Sequence, residues 1–235
     1  MKICMPLVYF AFILSLISCQ STRYYQLYEV KTDSQMDSNS DRLIYENEHC
    51  LITYHLWNEH GNIGFKFYNK SEEDIYLFLD KSFFILNDIA YPYYSACSSS
   101  HMLDTNKGEC YMIIPRKTAR YVSKFTINDQ LIRSCDLYKY PSRSEIRTIH
   151  FDSATSPLVF SNRLTYVLES QNQPQEIENS FYVSGITNYN ERDFLENSND
   201  DICNQKLVQS VRTYKFFSAD KFYLLYIKSN DRLKH

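Results

Sequence analysis

The sequence predicts an all-β protein, an antiparallel β-sandwich with insertions. Three observations carry this expectation. The chain holds 21 Tyr and 15 Phe against 4 Gly, and aromatic rings favour strands because they pack well on a pleated surface. Short apolar runs recur from Leu43 to Ile227, separated by Asn, Ser, Asp and Pro clusters. That is the rhythm of short strands joined by turns, and no stretch sustains a helical period.

The elements follow in chain order. Tyr24 to Val30 reads as a first strand, and Lys31 to Ser40 as a polar linker or long turn. His49 to Trp57 is rich in strand formers and ends at the turn Asn58 to Asn62. The next run, Ile63 to Tyr68, sets Ile63, Phe65 and Phe67 on one face, so these two strands are expected to pair as a hairpin. After Asn69 to Asp74, two further strands are expected at Ile75–Asp80 and Ser82–Asn87. Tyr111 to Ile114 is a strand stopped by Pro115, and another spans Arg120 to Ile127. Later candidates are Ile146 to Phe151, Leu158 to Phe160, Leu164 to Leu168, Phe181 to Thr187, Val211 to Phe217 and Phe222 to Ile227. Glu191 to Asn204 is the longest late polar segment and has room for a short helical turn.

Composition excludes several function classes. The net charge is −3 and no basic run is present, so the chain lacks an electrostatic footprint for nucleic acid. The same balance gives no reason to expect attraction to anionic lipid heads. Gly61, Gly64, Gly108 and Gly185 form no phosphate-cradling or dinucleotide motif.

The first nineteen residues carry an address. Lys2 opens an apolar run from Ile3 to Leu14 that is interrupted only by Pro6. That is shorter than the about 20 apolar residues a membrane helix needs, which favours a removable signal. Leu16-Ile17-Ser18-Cys19 resembles the lipobox of bacterial lipoproteins: apolar, tolerant, small, then cysteine. The resemblance implies cleavage after residue 18 and acylation of Cys19; an ordinary secretory signal, cut nearby without lipid, is the other reading. Two or more acyl chains anchor stably, at about 0.8 kcal/mol per buried methylene. The expected organisation is a signal at 1–18, a lipidated tether at 19–42 and a β-sandwich domain at 43–235. By analogy with sorting in two-membrane bacteria, Gln20 after the cysteine allows the outer membrane. In Bacteroides-type bacteria surface exposure goes with acidic residues just after the cysteine, and by that analogy their lack in Gln20-Ser21-Thr22-Arg23 points to the periplasmic face.

A second resemblance lies in the body of the chain. Phe65 to Ser71, Asp74-Ile75-Tyr76-Leu77, Ser82 to Asn87 and the proline-bounded Ile113 to Thr118 are similar to small Ig-like domains of bacterial lipoproteins. The whole chain resembles uncharacterised lipoproteins of Bacteroides-type bacteria. That resemblance implies an Ig-like sandwich and no activity, because a fold does not fix a function.

Of the 7 Cys, Cys4 leaves with the signal and Cys19 takes lipid. The odd remainder leaves at least one thiol unpaired. Cys97 and Cys110 flank a polar loop and form the most plausible disulfide, which would contribute about 3 kcal/mol in the chain-entropy picture. Cys50 sits in an apolar alternation and reads as a buried small hydrophobe.

Few residues suggest chemistry. His49, Cys50, His55 and His60 are close in sequence, but His49 and Cys50 are strand neighbours facing opposite sides, so a metal site is not expected. Ser100-His101 lies near Cys97 without a nucleophile elbow. Glu191, Asp193, Glu196, Asp200 and Asp201 lack calcium-loop spacing and read as a solvated loop. No cofactor is called for. Tyrosines are the remaining candidates: Tyr91, Tyr93 and Tyr94 form a possible binding surface beside the Cys97 loop, with Tyr138, Tyr140 and Tyr189 near other turns. The expected function is therefore a membrane-tethered, non-catalytic interaction or scaffolding module with an envelope protein as partner. A glycan-binding surface protein using exposed tyrosines is the alternative.

Overall fold

The structure, a computed structural model, describes residues 22–32, 36–38, 41–93, 110–171, 173–200 and 209–228. These residues are arranged as antiparallel β-sheet. β1 (Arg23–Thr32), β6 (Ile75–Leu86), β7 (Ile89–Pro92), β8 (Tyr111–Ile114), β10 (Thr148–His150), β11 (Val159–Leu168), β12 (Gln175–Asn190) and β15 (Lys221–Ile227) make an eight-stranded sheet. Its order is β15-β1-β12-β11-β6-β7, with β10 beside β12 and β8 beside β6. β2 (Asp37–Ser38), β3 (Leu43–Glu46), β4 (Cys50–Tyr54), β5 (Phe65–Asn69) and β9 (Ala119–Val122) make a five-stranded sheet. β13 (Leu195–Asp200) and β14 (Gln209–Tyr214) pair as a separate hairpin, preceded by one helical turn, α1 (Glu191–Phe194).

One apolar core lies between the two larger sheets. Alternation supplies it: Cys50, Ile52 and Tyr54 of β4 and Phe65 and Phe67 of β5 meet Ile75, Leu77, Leu164, Tyr166, Phe181 and Val183 of the other sheet, all buried. β4 and β5 pair with Tyr54 opposite Phe65 and Cys50 opposite Asn69, as the alternation of Ile63, Phe65 and Phe67 predicts. The connection between them is long, and its turn serves another strand. His60 and Gly61 adopt φ of 71° and 70°, and a Cβ on Gly61 would come within 2.9 Å of Ile127 and Phe222. Glycine alone fits there. The turn docks on the open edge of β15, where His60 donates its backbone N–H to the Tyr223 carbonyl at 2.8 Å.

β1 is an interior strand, hydrogen-bonded to β12 on one edge and β15 on the other. The chain is therefore locked into the sheet from Arg23 onward, and any tether in the 19–42 segment is confined to what precedes that residue. Two expected breaks are absent. Ile75–Asp80 and Ser82–Asn87 are one strand with an irregularity opposite Arg163 and Thr165. Ser82 stitches it: its hydroxyl donates to the Phe78 carbonyl at 2.6 Å and accepts from Thr165 N–H at 3.0 Å. The expected strands at Leu158–Phe160 and Leu164–Leu168 are likewise one, β11. β12 begins six residues before the expected Phe181. Its polar start is held by side-chain bonds: Glu178 to Arg163 and Ser161, and Asn179 to the Tyr54 hydroxyl at 2.7 Å. β9 is shorter than expected and ends at Val122.

Candidate functional site

Strand periodicity places Tyr25 and Leu27 of β1 on the face of the large sheet turned away from the main core. Their cross-strand partners join them there: Tyr189 of β12 stands opposite Tyr25, and Tyr223 of β15 opposite Leu27. α1 covers this face. Asn190 starts the turn by accepting the Asp193 N–H at 3.1 Å, a strong N-cap residue in that role. The turn then swings Phe194 onto Tyr25, ring centres 4.3 Å apart and planes 11° from parallel, with no exposed surface on Phe194. Trp57, the single tryptophan, arrives from the β4–β5 connection, where Leu56 donates its N–H to the Ala219 carbonyl at 2.9 Å.

Trp57 is the hub of what remains accessible. Tyr214 and Phe217 stand against it edge-on, at 5.3 and 5.5 Å and at 68° and 63°. Phe217 is 58% exposed and Tyr214 36%, and His55 packs on Phe217 at 5.2 Å. The Tyr214 and Tyr223 hydroxyls are hydrogen-bonded at 2.9 Å, and burial pushes the Tyr223 hydroxyl above its ordinary range. Each such ring pair is worth about 0.5–1.5 kcal/mol beyond area burial, which favours this arrangement of the rings. Chemically it offers flat π surface and hydroxyl donors. That suits stacking and apolar anchoring of a partner.

The residues singled out in the sequence fall elsewhere. Tyr91 is on the surface, 39% exposed, in edge strand β7, stacked on Phe84 at 6.1 Å. Tyr93 corrects the expectation of a tyrosine binding surface: it is 1% exposed, because its hydroxyl bonds Asn162 in the core and its ring packs on Phe65 and Phe125. Tyr94, Cys97, His101 and Cys19 lie outside the described residues. Cys110 is 3% exposed and disulfide-bonded, to a cysteine that also lies outside them. Cys50 and Cys135 are free thiols.

His49, His55 and His60 do not converge. His49 faces Glu48 at 3.0 Å, His55 packs on Phe217, and His60 sits in its turn. Cys50 is buried in the core, which pushes its thiol up to about 12. Among the described residues no group of three or more His, Cys, Asp or Glu could hold a metal. The acidic stretch is partly neutralised by ion pairs: Glu191 meets Arg212 at 3.2 Å and Arg23 at 3.9 Å, and Asp193 meets Arg143 at 3.6 Å. Tyr189 is spent on packing against Phe216 at 4.6 Å. No protein-family model matches the chain, and no curated protein or solved structure matches it.

The Trp57 patch is not announced by the local sequence. The local signal is thin: a lone tryptophan and Phe217, each at the end of an expected strand. What assembles it is contact between residues far apart in the chain.

Proposed function

We propose that this chain is a lipid-anchored, non-catalytic interaction module of a bacterial cell envelope, held at the periplasmic face of the outer membrane by acylated Cys19. The observation that carries the interaction role is Phe217, 58% exposed and braced on Trp57 beside Tyr214. A large ring fixed in that position has little rotamer freedom left to lose, which is what a binding hot spot requires. The lipobox-like Leu16-Ile17-Ser18-Cys19 supports the anchor. A photo-crosslinking residue at position 217, activated in intact cells, tests the role. The expected result is one dominant adduct with an envelope protein, lost when Tyr214 is also changed to Ser. An adduct pattern unchanged by Tyr214→Ser, or no adduct, overturns it.

The second reading is glycan binding. It is favoured by Tyr214 and Phe217 flanking Trp57, because aromatic faces stack on sugar rings as readily as they anchor proteins. It requires a surface-exposed chain, so protease shaving of intact cells separates the two readings: resistance excludes capture of extracellular glycans.

A further inference from the structure

The two ends of the described fold leave the large sheet side by side. Arg23 stands opposite Ile227, and Lys228 donates its N–H to the Thr22 carbonyl at 3.1 Å. Arg23 is four steps along the chain from Cys19, a reach of at most about 14 Å when fully extended. An acylated Cys19 therefore keeps this end of the sheet close to the bilayer.

The end of the sheet has the chemistry of a membrane interface. Tyr24, Tyr140 and Tyr226 form a triangle with ring centres 5.1, 5.7 and 6.1 Å apart. The ammonium groups of Lys139 and Lys228 lie 4.9 and 5.2 Å from the Tyr140 ring centre. Ile227, the next residue along β15 from Tyr226 and on its opposite face, is 51% exposed at the same strand end. Tyrosine rings gather at the headgroup level of bilayers, and lysine stems lie along apolar surface while their charges reach outward. Arg23, Arg143 and Arg212 also gather at this end, around Glu191 and Asp193. The chain's net charge of −3 conceals this local excess of cations.

We infer that this end, built from Tyr140, Tyr226, Ile227, Lys139 and Lys228 around the buried Tyr24, rests on a bilayer surface carrying anionic headgroups. The inference builds on the lipid-anchor reading and adds an orientation. The sheet stands on its β15–β1 end, and the Phe217 patch, which lies past the opposite end of β15, is presented away from the lipid.

The test uses the full chain purified from its host and reconstituted in vesicles of phosphatidylcholine with phosphatidylglycerol, the acyl chains brominated as quenchers. Trp57 is the internal reference, since it lies beside Tyr223, four residues along β15 from Ile227. Wild-type emission is expected to change little. Ile227→Trp adds an emitter at the interface, so about half of its total emission is lost. Lys139→Glu with Lys228→Glu, in the Ile227→Trp chain, reduces that quenching by roughly twofold on the phosphatidylglycerol vesicles. Mass spectrometry of the mature amino terminus of the same sample separates the failures. Acylated protein with an unquenched residue 227 overturns the orientation and leaves the anchor standing, as when a protein partner or a second copy covers this end. An unacylated terminus overturns the anchor and the orientation with it. Quenching that ignores both the Glu pair and the removal of phosphatidylglycerol overturns the assignment of anionic headgroups.

Discussion

Tyr93 donates its hydroxyl to Asn162 Oδ1 at 2.6 Å, between the two sheets and out of reach of solvent. Asn162 in turn donates to the Ile63 carbonyl at 3.2 Å, and its cross-strand neighbour Asn179 bonds Tyr54. A polar cluster at the centre of an aromatic core is costly if broken, because each deserted group keeps its desolvation cost. Tyr93→Phe leaves the Asn162 oxygen without this donor and is expected to destabilise the fold by about 1–3 kcal/mol. In a domain of this size that lowers Tm by roughly 2–12 °C. A melt followed by circular dichroism checks it; an unchanged Tm means the hydroxyl contributes nothing.

Gln26 fastens the segment that follows β9. It is fully buried, accepts from Ile132 N–H at 2.9 Å, donates to the Ile132 carbonyl at 2.8 Å and donates to Asn188 at 2.9 Å. Gln26→Leu preserves side-chain bulk but deserts both backbone groups of Ile132 and the Asn188 oxygen. The expected cost is about 2–4 kcal/mol, with the 128–140 segment opening first. Limited proteolysis is the readout: the first cuts should move into 128–140 in the variant and be absent there in the wild type.

Strand alternation is a local property, and it made much of this fold legible. Tyr111–Ile114 and Phe222–Ile227 coincide almost residue for residue with β8 and β15, and the segment from Glu191 holds the expected helical turn. Where sequence reading failed, the strand was carried by polar residues whose partners are distant. Glu178 and Asn179 read as a turn, yet they sit in β12 because Arg163 and Tyr54 meet them there. Lys81 falls between two expected strands, yet Ser82 bridges the gap. The binding surface failed for the same reason. Tyr91 and Tyr93 are one strand period apart and look alike in sequence, but Asn162 draws Tyr93 inside while Tyr91 stays at the sheet edge. The Trp57 patch draws its rings from four separate stretches of chain, and no local pattern announces that.

The thiols should separate by accessibility. Cys135 is exposed, whereas Cys50 has no exposed surface and its thiol is pushed up to about 12 by burial. The thiolate is the reactive form, so both factors protect Cys50. Brief alkylation at pH 8 followed by peptide mass mapping should modify Cys135 and leave Cys50 intact until denaturant is added. Labelling of Cys50 under native conditions would show that the main core opens on the timescale of the reaction.

Phe194 is the keystone of the aromatic face: it stacks on Tyr25, lies 6.2 Å from Trp57 and touches Tyr214 and Tyr223 edge-on. Phe194→Ala removes a ring with no exposed surface, a truncation that costs about 3–5 kcal/mol. Because Trp57 is the single tryptophan, its emission reports this site alone. The expected signature is a red shift as water reaches the indole, at temperatures where the far-ultraviolet strand signal is still native. A blue-shifted spectrum identical to wild type would mean that the rings around Trp57 hold without Phe194.

Alkali should unfold the protein through its buried tyrosines. Tyr28, Tyr54 and Tyr93 all have hydroxyls raised above the usual range, in each case chiefly by burial. In the unfolded chain a tyrosine ionises near pH 10. Below that pH both states are protonated and the stabilising effect of holding these groups neutral is fully present. Above it the unfolded chain loses protons that the folded chain keeps, so stability falls as pH rises towards the folded-state values. Each buried tyrosine lowers the folding equilibrium constant by about tenfold per pH unit in that window. Urea midpoints taken at pH 9, 10 and 11 should be flat over the first interval and fall steeply over the second. Tyr28→Phe should reduce that slope by one proton's worth, because it removes one of the groups that only the unfolded chain can ionise. Tyrosinate absorbance appearing in step with loss of strand structure, and not before it, checks that unfolding and ionisation are one event.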